Sequence, residues 1–151
     1  MKKNESGTKR FASLVALALM AGPICWSADT LTVKSHDGSC QVAVPASWSV
    51  GASGGTAESS DKNSSLAVSS PKMIDSFAEL KQTAKSLYAN SKVTKDSATE
   101  FSMEGESMNR QPDVYRAVPI AGTKFCIVEV VYKTGSPDEA RAIAQTLKGA
   151  K

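Results

Sequence analysis

Between residues 39 and 44 apolar and polar side chains alternate. Cys40, Val42 and Val44 take one side and Gln41 and Ala43 the other, the period of a half-buried strand. Thr30 to Lys34 forms a shorter strand before it, and His36-Asp37-Gly38 between the two reads as a turn, with Gly38 free to take a positive φ. Pro45 stops the second strand, and Trp48 is expected to anchor the core or its rim. Residues 51–63, rich in Gly, Ser and Thr, hold loops and one edge strand near Thr56 to Ser59. Ser65 to Ser70 then forms a strand with Leu66 and Val68 inward, ended by Pro71.

The period changes after Pro71. Ser76 and Glu79, three apart, make a capping box, and Phe77, Leu80, Ala84, Leu87 and Tyr88 recur at helical spacing, which predicts a helix over 76–90 with Lys81, Gln82 and Lys85 on its wet side. Val93 to Asp96 is a short polar strand. From Ala98 to Glu106, Thr99, Phe101, Met103 and Gly105 oppose Glu100, Ser102, Glu104 and Glu106, so the second set is expected to face solvent. Asn109 to Asp113 reads as a turn, Val114 to Ile120 as a strand and Ala121-Gly122 as a turn. Residues 123–133 form the strongest strand, with Phe125, Ile127 and Val131 opposite Cys126, Val128, Val130 and Tyr132. That predicts a central strand covered on both faces. Ser136, Pro137 and Glu139 open a second helix over 137–148, buried through Ala140, Ile143, Ala144 and Leu147 and ended by Gly149. The order predicts an α+β fold, an antiparallel sheet of about five to seven strands with two main helices packed against it.

The N-terminal segment has another pattern. Lys2, Lys3, Lys9 and Arg10 precede an apolar and small-residue run from Phe11 to Ala21, broken by Gly22 and Pro23 ahead of Ser27 and Ala28. This is the layout of a cleavable signal peptide over 1–27, leaving one domain over 28–151. The run of about 11 residues falls short of the roughly 20 that a spanning helix needs. Cys25 raises lipidation as an alternative, although Ile24 and Gly22 stand where a lipidated cysteine would need a small and an aliphatic residue. Export implies the periplasm or the space outside the cell, with a bacterial periplasm fitting best.

Removing the leader also changes the charge. The 151-residue chain carries 18 basic and 15 acidic residues. Four of the basic residues and Glu5 lie in the leader, so the remainder is formally neutral. The positive field that nucleic-acid binding uses is therefore missing. Cys40 and Cys126 remain, and an even pair in an exported chain reads as a structural disulfide, the alternative being two buried free thiols.

Candidate chemistry is sparse. Gly51, Gly54 and Gly55 lack the lysine and hydroxyl residue of a phosphate loop. The lone histidine, His36, stands beside Asp37 in a polar turn, without a nucleophile-elbow pattern. Lys81, Lys85, Lys92 and Lys95 form a basic group without arginine or interleaved aromatics. Glu100, Glu104 and Glu106 share one strand face, a candidate ligand or hard-metal face whose plain reading is a solvated strand. Neither a cofactor motif nor a metal cluster stands out, and ligand and oligomeric state are not written in the pattern.

The strand reaching Val42-Ala43-Val44-Pro45 before Trp48, the Pro71 region leading into helix 76–90, and the terminal strand 123–133 with its helix together resemble the PsbP-like α/β/α sandwich fold. That fold is shared by the oxygen-evolving PsbP protein of photosynthesis and a Ran-binding nuclear import factor. The resemblance implies this architecture and, by analogy, an accessory or binding role; no functional residue carries over. The expected function is therefore a non-catalytic exported protein that recognises a protein or small ligand in the envelope or outside the cell. A small secreted hydrolase or hydrolase inhibitor, built on His36, Asp37 and the glutamate face, is the alternative.

Overall fold

The computed structural model describes residues 29–121 and 124–150, so the leader expected over 1–27 lies outside the described residues. β1 (Thr30–Lys34) and β2 (Cys40–Pro45) form the expected hairpin, with Val33 opposite Val42. Gly38 takes φ +71° at its turn, a conformation that costs a side-chain-bearing residue energy. Three short strands follow: β3 (Ser49–Val50), β4 (Thr56–Glu58) and β5 (Ser64–Ser69). β4 is flanked by β3 and β5, so the edge expected at Thr56 to Ser59 falls instead to β3.

α1 spans Phe77–Leu87. The Ser76 hydroxyl accepts from the Glu79 N–H at 3.1 Å, while the Glu79 carboxylate accepts from the Asp75 N–H, one residue outside the expected box. The helix stops short of Asn90 because Tyr88 is its cap and Ser91 N–H closes a turn onto the Tyr88 carbonyl at 2.9 Å. That turn feeds β6 (Lys92–Asp96) directly. Leu80, Ala84 and Tyr88 are buried as expected, whereas Leu87 is 53% exposed.

β7 (Phe101–Glu106), β8 (Pro112–Ala121) and β9 (Lys124–Tyr132) complete an antiparallel seven-stranded sheet of order β3-β4-β5-β9-β8-β7-β6. α2 (Asp138–Gln145) and β10 (Lys148–Gly149) close the described chain. β10 pairs with β2, giving a second sheet of order β1-β2-β10 that the sequence pattern does not announce. α1 packs on one face of the large sheet over Phe101, Met103, Tyr115, Ala117 and Phe125. α2 and the small sheet pack on the other, over Val114, Val128 and Val130. β9 is thus central and covered on both faces. Each large apolar side chain buried there contributes about 1.5–3 kcal/mol. The Cys40–Cys126 disulfide joins the small sheet to the large one across a Cα separation of 5.5 Å. No helix among the described residues is long and apolar enough to cross a membrane.

Further sequence expectations are corrected. The second helix ends at Gln145, not at residue 148, because Lys148 and Gly149 leave it to pair with Gln41 and Cys40. Its start keeps Ser136 before a helical Pro137, with the Ser136 hydroxyl accepting from the Asp138 N–H at 3.2 Å, but the carboxylate that this hydroxyl meets, at 2.6 Å, is that of Asp138 and not of Glu139. Asp113, expected in a turn, lies in β8 and is fully buried.

Candidate functional site

One helix is too narrow to cover a seven-stranded sheet, and the uncovered part shapes the site. On the α1 side β5 presents only small residues, Ser65, Ala67 and Ser69, opposite Val131, Glu129 and Ile127 of β9. The gap left beside α1 is a groove of about 200 Å³. Ile74, Leu80, Leu87 and Ile127 give it apolar walls, and Thr83, Tyr88 and Glu129 add polar groups. Glu129 occupies a mid-strand position on the central strand, pairs with Tyr115 of β8, and accepts from the Tyr88 hydroxyl at 3.1 Å. That bond ties the end of α1 to the middle of the sheet.

Asp113 sits on the same face, two residues along β8 from Tyr115, diagonal to Glu129. It is 0% exposed, and both carboxylate oxygens lack hydrogen-bond partners among the described residues. Burial, with Glu129 adding like charge, raises its pKa from 3.8 to about 7. The backbone N–H of Gly105, its register partner, favours the charged form without reaching hydrogen-bonding geometry. Near neutrality Asp113 is therefore divided between a neutral acid and a buried, unpartnered anion. Desolvation, again with Glu129 beside them, holds the Tyr88 and Tyr115 hydroxyls well above the ordinary phenol range, so both stay protonated. Gly105, the register partner of Asp113, lets the turn after α1 pack close against β7. A Cβ there would stand 2.5 Å from Ser91 Cα and 2.7 Å from the Asn90 carbonyl.

The glutamates singled out in the sequence lie on β7 or just before it and already have partners on the chain. Glu100 accepts from Arg116 Nε at 3.0 Å. Glu104 takes both Nε and Nη2 of Arg141, at 2.7 and 2.6 Å. Glu106 accepts from the Asn90 amide at 3.1 Å. Glu100 and Glu104 thus lie on the α2 side, opposite the groove, and serve to fasten that helix. Among the described residues no three His, Cys, Asp or Glu side chains gather as a metal site would need.

His36 lies elsewhere. Its Nδ1 meets the Ser53 carbonyl at 3.1 Å, and its backbone is next to Gly55 at the start of β4. Four strand spacings separate β4 from β7, roughly 19 Å. His36 and the glutamate face are not brought together. Asp37 is held at a pKa of about 2 by hydrogen bonds from the Ser35 and Ser39 hydroxyls and the Ser39 N–H, as a turn organiser. Lys81 and Lys85 both pair with Asp96, at 2.6 and 3.1 Å, and Lys92 lies on edge strand β6.

Glu129 is not among the sequence candidates; Tyr88 enters there only as a core position of the first helix, and Asp113 only as an acid not far beyond the glutamate face, in a turn. One signal was present: Glu129 is the lone acid inside the most apolar strand, where a charge is costly without a purpose or a partner. Asp113 gave none, because Pro112 before it reads as a turn.

No protein-family model matches the sequence, and no curated protein matches it. Among solved structures, the solution structure of cyanobacterial PsbP (CyanoP) from Synechocystis sp. PCC 6803 is similar in fold. It has 11% identity over 87% of this chain and 98% of that one, with a TM-score of 0.50. The PsbP-like architecture expected from the strand and helix order is the architecture found.

Proposed function

We propose that this chain is an exported accessory protein. Residues 1–27 direct it out of the cytoplasm, and residues 28–151 form a recognition domain that performs no catalysis and works in the periplasm or outside the cell. The observation that carries this reading is the groove beside α1. It is an apolar cleft with the half-buried Glu129 in its lining, and the unsatisfied Asp113 lies outside that lining, diagonal to Glu129 on the same face of the sheet. Such an arrangement selects a ligand by shape and charge. It lacks the paired nucleophile and base of an acyl-transfer site. The PsbP-like fold supports the reading by analogy, and the Cys40–Cys126 disulfide supports an oxidising compartment.

Two measurements test it. Fractionation with N-terminal sequencing should find an oxidised chain beginning near Ala28 in the envelope or culture fluid; a full-length, reduced chain kept in the cytoplasm would overturn export. A pull-down should recover a saturable partner or ligand with the wild-type chain and lose it with Ala67→Trp, which fills the groove from an exposed position. A partner captured equally by both chains would move the recognition surface elsewhere.

A further inference from the structure

The charge pattern of the groove narrows its ligand, on the reading that the groove is the recognition site. Glu129 is the one charged side chain among the described lining residues. One of its oxygens takes the Tyr88 hydroxyl, which as an oxygen can itself accept from a further donor. Asp113 lies diagonally beyond it, at the roughly 7–8 Å typical of such neighbours on adjacent strands. The groups facing Asp113 are Glu129 from β9, Tyr88 from α1, Tyr115 from its own strand, and Met103 and Gly105 from β7. None of these carries a positive charge. A buried acid without hydrogen bonds, next to a second acid, is a costly arrangement in a ligand-free domain. A cation would relieve both terms. The volume, about 200 Å³, equals some six or seven waters, so the ligand is small.

We propose that the groove binds a small primary ammonium or guanidinium compound with an apolar body. The body lies against Leu80, Leu87 and Ile127. The cationic head donates to Glu129 and to the Tyr88 oxygen and points towards Asp113. No bond is made or broken. The one chemical change is loss of a proton to solvent from the fraction of Asp113 that is protonated, because the arriving cation stabilises the carboxylate. Near neutral pH that is a fraction of a proton per ligand bound.

The test uses the exported, oxidised chain with three probes of one length, n-hexylammonium, 1-hexanol and hexanoate, followed by amide chemical shifts. n-Hexylammonium should move the resonances of Ala67, Thr83, Tyr88 and Glu129 and bind at least tenfold more tightly than 1-hexanol, with hexanoate weakest. Glu129→Gln should erase that tenfold preference. Calorimetry in buffers of different ionisation enthalpy at pH 7 should show proton release from the wild-type chain and none from Asp113→Asn. If 1-hexanol moves the groove resonances as readily as n-hexylammonium, the cationic ligand is refuted while the groove remains a binding site. If no probe moves them, the small-ligand groove and the cationic ligand fail together. Ammonium binding unchanged in both variants would also overturn the assignment of the head group.

Discussion

Arg116 Nε donates to Glu100 Oε1 at 3.0 Å, and the same guanidinium meets the end of α2, which packs on the same face of the sheet. Its Nη1 reaches the carbonyls of Ala144 and Gln145 at 3.0 Å each. These carbonyls stand at the negative end of α2, where a cation is favoured, although that of Ala144 also accepts the Leu147 N–H at 3.1 Å. One side chain therefore fixes α2 to β8 and stops it in time for the chain to become β10.

Arg116→Ala should accordingly be among the costly single substitutions. The side chain is only 13% exposed, so its removal takes a charged donor from Glu100 and from the Ala144 and Gln145 carbonyls. The expected loss is about 2–3 kcal/mol by urea unfolding of the oxidised chain. Glu100→Gln, which keeps the cap, should lose about 1 kcal/mol. Equal losses would mean that the cap contributes nothing.

Reduction of the Cys40–Cys126 bridge should cost about 4.5 kcal/mol, the closure entropy of positions 86 apart in sequence. A midpoint comparison of the native chain with Cys40→Ala/Cys126→Ala measures it. The loss should appear as a shift in midpoint and in denaturant slope, because the unbridged unfolded chain exposes more surface.

Asp113 should make the protein less stable as pH rises. Its folded pKa, about 7, exceeds the unfolded value of 3.8, so between these values the folded state holds the extra proton. Stability is then full below about pH 4 and declines as pH passes through 7. Asp113→Asn should remove this decline and melt higher at pH 8.5, by ~2–4 kcal/mol, with little difference at pH 4. Asp37 acts with the opposite sign. Its pKa is lowered to about 2, so its contribution is present above its unfolded value of 3.8 and fades as pH falls towards 2.

Gly105→Ala should destabilise by about 1–3 kcal/mol although alanine suits a strand better than glycine. The new methyl would meet the backbone of Asn90 and Ser91, which a side-chain rotation cannot move aside. Thermal melts of this variant next to Ala67→Gly, an exposed position within β5 away from this close approach, separate the clash from strand propensity.

Local periodicity was enough to read most of this fold. The alternations over Cys40–Val44, Phe101–Met103 and Phe125–Tyr132 placed those side chains on the faces they occupy, and the even cysteine pair gave the bridge. What was not legible depends on partners distant in sequence. The end of α2 is set by Arg116, 28 positions before Ala144, and by strand pairing with β2. Leu87 followed the helical stripe yet is exposed, since the sheet beneath it offers Ala67 and Ser69 and no large side chain to meet it. The glutamate face looked like chemistry because three acids in a row resemble a ligand set. Two of them answer arginines on β8 and α2, which only the fold brings near. Asp113 was hidden by its neighbour Pro112. Local turn rules describe the residue after a proline, whereas here pairing with β7 and β9 carried it into the sheet.

The pairing of β10 with β2 has a consequence for the order of events as the chain is made. Gly149 sits opposite Cys40, and the Ala150 N–H bonds the Ser39 carbonyl at 2.8 Å. A chain emerging from its N-terminal end can form the first hairpin early, but one edge of β2 stays open until residues 148–150 arrive. Contacts of such separation form slowly. Strand β10, the last among the described residues, thus completes the sheet that β1 and β2 begin, and a chain threading a narrow pore before residues 148–150 have arrived would carry no finished small sheet to unravel.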